Sequence, residues 1–429
     1  MPLFSRAGFL FTRPSMMRAS DALATDVLMY AIPLLVLTTT GSASLTGVAF
    51  LLEWLPRLVA FTVGGPLVDR FRADRVFRAA STARALLLVT AALALALLPG
   101  SGVLTTTVVM AVGALSGFLA QASFVGVETI GAEVSRAAGH QAHRVQSVQI
   151  GIDQGALLVG PLLGGLLLLA GPVFLLVTVG CLSLTSTFAT AGLSPELVRQ
   201  TAPVQSVAAS LGTGWRTVCA IPALAWLVAG LSVSNFATGL AQASAPISVM
   251  HNFGASSLTV GAIWSAAGLV ALTTVAASRR LIDRFGLWAV GAAGATTACV
   301  SSLGVALAPE LNSYAVTIGV MMAGEGALTV VLRTLRARLI PPSVFGSTLS
   351  VTIVLIVLPM PIAGALVAVL PVTSLPTVLL ACAVVQGIAL ALAFRGLRRH
   401  RASYTLPSTP DTPLAPLPLP APADAREAA

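Results

Sequence analysis

An all-α integral membrane protein of twelve spanning helices, built as two parallel six-helix halves, is the fold this sequence predicts. Three observations predict it. Apolar residues make up 56% of the 429-residue chain and charged residues only 9%, whereas a soluble domain carries about a quarter charged residues. The apolar residues gather into runs of membrane-spanning length. One stretch is also written twice: Leu67-Val68-Asp69-Arg70-Phe71 returns 214 residues later, half the chain length, as Leu281-Ile282-Asp283-Arg284-Phe285.

A spanning helix needs about 20 mostly apolar residues. Twelve runs meet this, roughly 19–40, 44–66, 76–98, 103–127, 145–169, 172–193, 222–247, 256–278, 287–308, 313–333, 345–369 and 373–394. They are continuous, so the alternating segments of about ten residues that build a membrane β-barrel do not fit. The organisation expected is an arm over 1–18, a first half over 19–193, a linker over 194–221, a second half over 222–396 and a tail over 397–429. Val207 to Cys219 in the linker reads as an interfacial helix with Trp215 at headgroup level. The tail, with its repeated prolines from Pro407 to Pro422, lacks the large apolar residues a core needs and is expected to be disordered. Met1 to Arg18 has no short apolar core with a cleavage site, so the first span is expected to be an uncleaved anchor.

Arginine sets the orientation. All 24 basic residues are arginine. They cluster in the arm (Arg6, Arg13, Arg18), after span 2 (Arg70, Arg72, Arg75, Arg78), after span 4 (Arg136, Arg144), in the linker (Arg199, Arg216), after span 8 (Arg279, Arg280, Arg284), after span 10 (Arg333, Arg336, Arg338) and in the tail (Arg395, Arg398, Arg399, Arg401). The opposite loops carry none, which puts both termini in the cytoplasm, on a cell or inner membrane. The net charge of +9 is then a topology signal and a match to anionic membrane lipid, with no nucleic-acid partner implied. Cys181, Cys219, Cys299 and Cys382 stand singly, without disulfide or metal-like spacing. No nucleophile or metal partner accompanies the four histidines and there is no P-loop. Neither an enzyme, a metal site, a cofactor nor an ATP-driven pump is therefore expected.

The duplication extends beyond the repeated loop. Gly41-Ser42-Ala43-Ser44-Leu45-Thr46 matches Gly254-Ala255-Ser256-Ser257-Leu258-Thr259, and Pro33 matches Pro246, both at an offset of 213. Two parallel halves related by an axis along the membrane normal describe a known transporter plan. Over residues 15 to 395 the chain resembles the major facilitator superfamily. Gly65, Leu67, Asp69, Arg70 and Arg75 fit its loop signature G-x-L-a-D-R-x-G-R-R/K, with Arg72 in place of the inner glycine. The second copy keeps that glycine as Gly286 but has Arg279 at the first position. Gly160-Pro161-Leu162-Leu163-Gly164-Gly165 in span 5 is similar to the GPxxGG core of the family's antiporter motif. Ala31-Ile32-Pro33-Leu34-Leu35-Val36-Leu37, Thr40-Gly41-Ser42 and Leu55-Pro56 resemble the macrolide- and enterobactin-exporter branch. Span 4 departs from the better-known proton-coupled drug exporters in holding no arginine between Val103 and Val127.

The resemblance implies a gate. Asp69, with Gly65, Arg70 and Arg75, would latch onto the start of span 11, and Asp283 with Arg284 would form the second copy. The bland reading is that these charges only mark one membrane face. Gly160, Pro161, Gly164 and Gly165 would bend and seal span 5 against Gly261, Ser265 and Gly268 of span 8, or simply pack as small residues do. Charges inside the membrane cost about 2.5–3.5 kcal/mol each and call for a reason. Glu53 and Arg57, four apart, pair on one helix face, either before a substrate or as a structural bridge. Asp26, Asp153 and Glu325 are candidates for protonation or for binding a cationic ligand, against the alternative of satisfied interhelical hydrogen bonds. Asn235, Gln242 and Gln154 join them as candidate cavity lining, and Trp54, Trp226 and Trp264 as candidate stacking platforms. Asp21, Glu128 and Arg84 are expected to snorkel at the boundary.

The expected function is export of a small organic molecule, a drug, antibiotic or siderophore-like compound. The expected machine is a monomeric secondary transporter working by alternating access in exchange for protons. A nutrient importer, an uncoupled facilitator of the same fold, and a non-transporting sensor or scaffold are the alternatives.

Overall fold

The computed structural model describes residues 13–97, 102–137, 142–190, 207–341 and 344–400. Of residues 61–70 the helical backbone is described but not the side chains. The expectations for the proline-rich tail, Arg6, Arg199 and Arg401 lie outside the described residues. Those for Arg136, Arg144 and Arg279 concern side chains that also lie outside them.

Among the described residues, twelve helices are long and apolar enough to cross a membrane. Spans 1 to 6 are Arg13–Thr40, Ala43–Phe71, Ala73–Leu97, Val103–Ala137, Ala142–Leu169 and Pro172–Thr190. The linker helix Val207–Ala220 follows, with Trp215 exposed and Gly214 against the backbone of Ser347. Span 7 is Pro222–Pro246, continued by a wide turn over Ile247–Asn252. Spans 8 to 10 are Ser257–Phe285, Leu287–Ala306 and Leu311–Leu339. Span 11, expected to run unbroken, divides into Phe345–Val357 and Pro359–Val369, because Pro359 and Pro361 remove backbone donors there. Span 12 is Leu375–Arg399.

The repeat is visible in the backbone. Gly41 and Gly254, one offset apart, follow the ends of spans 1 and 7 at φ +65° and +64°. Arg72 and Gly286 make the turns after spans 2 and 8 at φ 70° and 84°. That left-handed conformation explains the glycine of the signature, and Arg72 adopts it at a steric cost of about 1–2 kcal/mol. Helix packing repeats as well. In the first half span 1 packs on spans 5 and 6, span 4 on spans 2 and 3, and span 3 on span 6. The second half shows the matching pairs: span 7 on spans 11 and 12, span 10 on spans 8 and 9, and span 9 on span 12.

The halves meet through span 2 with span 11 and span 5 with span 8. The face holding the start of span 1 and the end of span 12 is here called the terminal face, and the other the far face. Toward the far face the apolar clusters mix both halves. Leu37 and Phe50 pack with Leu240, Ala363 and Val367, while Ile32 and Leu35 share a core with Val260 and Trp264. Toward the terminal face each cluster stays within one half. Phe77 and Ile130 centre the first, and Leu328, Val331 and Leu335 the second. The halves are thus fused on one side of the membrane and part toward the other.

Candidate functional site

The seam that fuses the halves is made of glycine. Gly47 of span 2 abuts the backbone of Gly364 and Ala368, and Gly261 of span 8 abuts Pro161 and Leu162, so a side chain at either would strike backbone. Ser44 Oγ donates to the Ala368 carbonyl at 2.5 Å, and its repeat partner Ser257 Oγ donates to the Gly165 carbonyl at 3.3 Å. The GPxxGG stretch serves two neighbours at once. Gly160 and Gly164 lie against span 1 at Asp26, Val27 and Ala31, whereas Gly165 lies against Ser257 and Leu258 of the other half. Beside Pro161, the Leu162 N–H donates to Ser265 Oγ at 3.0 Å, a bond across the seam. Gly268 faces Leu157 and Leu158 more loosely, and a side chain at Gly151 or Gly155, nearer the terminal face, would meet open space.

Where the halves part, a cavity of about 460 Å³ opens between them, within the range of about 300–1,000 Å³ that holds small-molecule ligands. Met29, Tyr30 and Trp54 line it from the first half; Asn235, Gln242, Trp264 and Glu325 line it from the second. It reaches Arg333 and Arg336 toward the terminal face. The Tyr30 and Trp264 rings meet across the halves with centroids 5.8 Å apart. Glu325 is held from behind. Gln386 Nε2 donates to Ser234 Oγ at 2.8 Å, and Ser234 Oγ donates to Glu325 Oε1 at 2.5 Å. No cation pairs with this carboxyl among the described residues. Asn235 Nδ2 donates to the Leu231 carbonyl at 3.2 Å on the same wall.

The other intramembrane charges are arranged differently. Glu53 and Arg57 pair at 2.8 Å, both buried, with the Arg57 guanidinium 5.2 Å from the Trp54 ring centre. The pair sits behind Trp54, and neither member lines the cavity. Asp153 and its neighbour Gln154 do not line it either. Arg18 grips the Asp153 carboxylate at 2.7 and 2.5 Å and also bonds Glu128, tying span 1 to spans 5 and 4. Asp26 backs onto Gly160, outside the cavity wall. The snorkelling expected of Asp21 and Arg84 is wrong. Arg84 is fully buried, donating to Asp21 at 2.6 Å, Thr25 at 2.9 Å and Ser183 at 3.0 Å. A long guanidinium that finds several acceptors between helices has no need to reach water. Glu128 remains half exposed.

At the second copy of the loop, Asp283 and Arg284 are exposed, and Asp283 has no ion pair among the described residues. The side chains of Asp69 and Arg70 and the surroundings of Gly65 lie outside what is described, and Arg75 is exposed. Trp226 packs on Gly396 within the second half, away from the cavity.

Three features of the site escape a reading of the sequence. Arg18 and Arg336 read there as markers of membrane topology, yet both are buried, at 6% and 8% exposure. The Ser234–Gln386 support of Glu325 joins spans distant in sequence and leaves no local signal. The helices of spans 1 and 10 run past their apolar stretches toward the terminal face, which keeps these two arginines on packed helix.

A family model described as Major Facilitator Superfamily matches residues 15–363. No curated protein sequence matches the chain. Among solved structures, a bacterial homologue of the iron transporter ferroportin in an inward-facing state is similar with a TM-score of 0.70 at 16% identity, covering 92% of this chain and 99% of that one. The nucleoside transporter NupG gives 0.68 at 13% identity, covering 89% and 100%. A bacterial homologue of the human lysosomal transporter Spinster, inward-facing and unoccupied, gives 0.68 at 14%, covering 94% and 99%. At these identities the likeness is one of fold.

Proposed function

The chain belongs to the major facilitator superfamily, and on that premise we propose that it exports a small organic molecule across the cell membrane by alternating access, in exchange for protons. The observation that carries this reading is the cavity between the halves, closed by the glycine seam toward the far face and walled by the Glu325 carboxyl. We take the arginine-rich terminal face as cytoplasmic. On that assignment the cavity opens toward the cell interior, the posture in which an exporter loads.

Exchange requires that the ligand and the proton exclude one another, since coupling between two bound species is reciprocal. A carboxyl meets that demand when a cationic group of the ligand takes the place of its proton. Glu325 suits this role, because Ser234 fixes it while no cation pairs with it among the described residues. Rocking would break the Gly47 and Gly261 contacts and close the terminal face, moving each half as a body. The arginine-bridged helices of the first half suit such a body.

The test is accumulation of a panel of drugs, antibiotics and siderophore-like compounds in cells with and without the protein. Lower accumulation of at least one compound, abolished by a protonophore, supports the reading. Higher accumulation would make the protein an importer, and a protonophore-insensitive difference an uncoupled facilitator.

A further inference from the structure

We propose that Arg336 is an anion-binding subsite of the cavity, so that the transported molecule carries a carboxylate or another acidic group at its end nearest the terminal face. Arg336 lies on the cavity wall and is more than nine-tenths buried. Its Nε and Nη2 are shut off from solvent and have no hydrogen-bond partner. An unpaired buried charge is costly, and three buried arginines of the first half avoid that cost with carboxylates: Arg18 with Asp153, Arg57 with Glu53, and Arg84 with Asp21. Arg336 has no such carboxylate among the described residues. Arg333, one turn earlier, lines the same cavity and adds a second positive charge, again without an ion pair among the described residues. Turned into the cavity, the two unused donors of this guanidinium form a planar fork that matches a carboxylate or phosphate.

The position also specifies the ligand's shape. Glu325 and Arg336 are eleven residues apart on one helix, which is about three turns and about 16 Å of rise, so they share a face. Leu332, Ile353, Ile356 and Val357 line the wall alongside. An elongated molecule with an apolar or aromatic body, its acidic end on Arg336, fits this space. The inference rests on the cavity being the transport site. Combined with a cationic group at Glu325, it makes the substrate amphoteric.

Binding separates this claim from transport. Purified protein is titrated with 4′-(aminomethyl)biphenyl-4-carboxylate and with the matching carboxamide, which keeps the amine and loses the acid. Calorimetry reads both affinities. The wild-type chain is expected to prefer the acid by about tenfold or more, the effect of a charge-assisted pair. Arg336→Gln should erase the preference for the acid, and Arg336→Lys should keep part of it. Equal affinities in the wild-type chain, or no saturable binding of the acid, would overturn the subsite; this arm does not depend on any variant folding. Anionic phospholipid offers the same chemistry. If nanodiscs of phosphatidylglycerol displace the acid and nanodiscs of phosphatidylcholine do not, the subsite belongs to lipid and the proposal fails. A chain that discriminates the acid but moves no compound would leave the subsite standing and remove the transport reading.

Discussion

Gly47 and Gly261, 214 residues apart near the starts of spans 2 and 8, each press against the backbone of the opposite half. These two contacts and the serine bonds beside them close the far face. Gly261→Val puts a branched side chain where the Pro161 carbonyl lies. This change should pry the far face open without dissolving either half. In a cysteine-free background, Ser257→Cys, buried in the seam, should react slowly with a membrane-impermeant maleimide and markedly faster when Gly261→Val is added.

The Arg84–Asp21 pair predicts a stability effect. Both side chains are almost wholly buried, and removing one partner of such a pair leaves a charge uncompensated, at a cost of about 3–5 kcal/mol. Asp21→Asn should therefore lower the melting temperature of the purified protein strongly. Replacing both partners, Asp21→Asn with Arg84→Met, should recover much of the loss.

Arg72 predicts a gain. Its backbone is left-handed where the repeat has Gly286, so Arg72→Gly should relieve the turn by about 1 kcal/mol. The loss of the 3.2 Å contact to Asp74 subtracts little, since Arg78 still pairs with Asp74 and ion pairs near the surface contribute about 0–1 kcal/mol. A raised melting temperature with unchanged transport is the expected outcome.

Two carboxyls that look alike in sequence should behave differently. Glu325→Gln is expected to leave the protein folded and to remove the pH dependence of transport, because Ser234 and Gln386 from spans 7 and 12 can hold the amide as they hold the acid. Asp153→Asn is expected to weaken folding through the lost Arg18 pair while pH dependence survives. Transport measured across a pH series, beside a melting curve for each variant, separates the two.

Most of the architecture can be read from the sequence, because bilayer thickness sets span length and the duplication repeats it. Pro33 and Pro246, Gly41 and Gly254, and the twin loops all announce the repeat. The charges are harder. Glu53 and Arg57 are legible as a pair because they are one helical turn apart, and Asn235 and Gln242 stand out as polar residues on an apolar span. Arg18 with Asp153, and Arg84 with Asp21, are 135 and 63 residues apart, and only helix packing joins them. Counting arginines locates the terminal face, yet the same count hides Arg336, since a residue at the end of an apolar run can turn either to water or into a cavity.

Rocking of the two halves about the cavity is the central claim. Spin labels at Phe71 and Phe285 report on the terminal face, and labels at Leu97 and Leu307 on the far face; all four positions are exposed. Double electron–electron resonance distances are measured for each pair in lipid nanodiscs, in neutral and in acidic buffer. The account predicts opposite changes, a shorter terminal-face distance accompanied by a longer far-face distance in a shared fraction of molecules. Distances that stay fixed on both faces, or lengthen together, would contradict it.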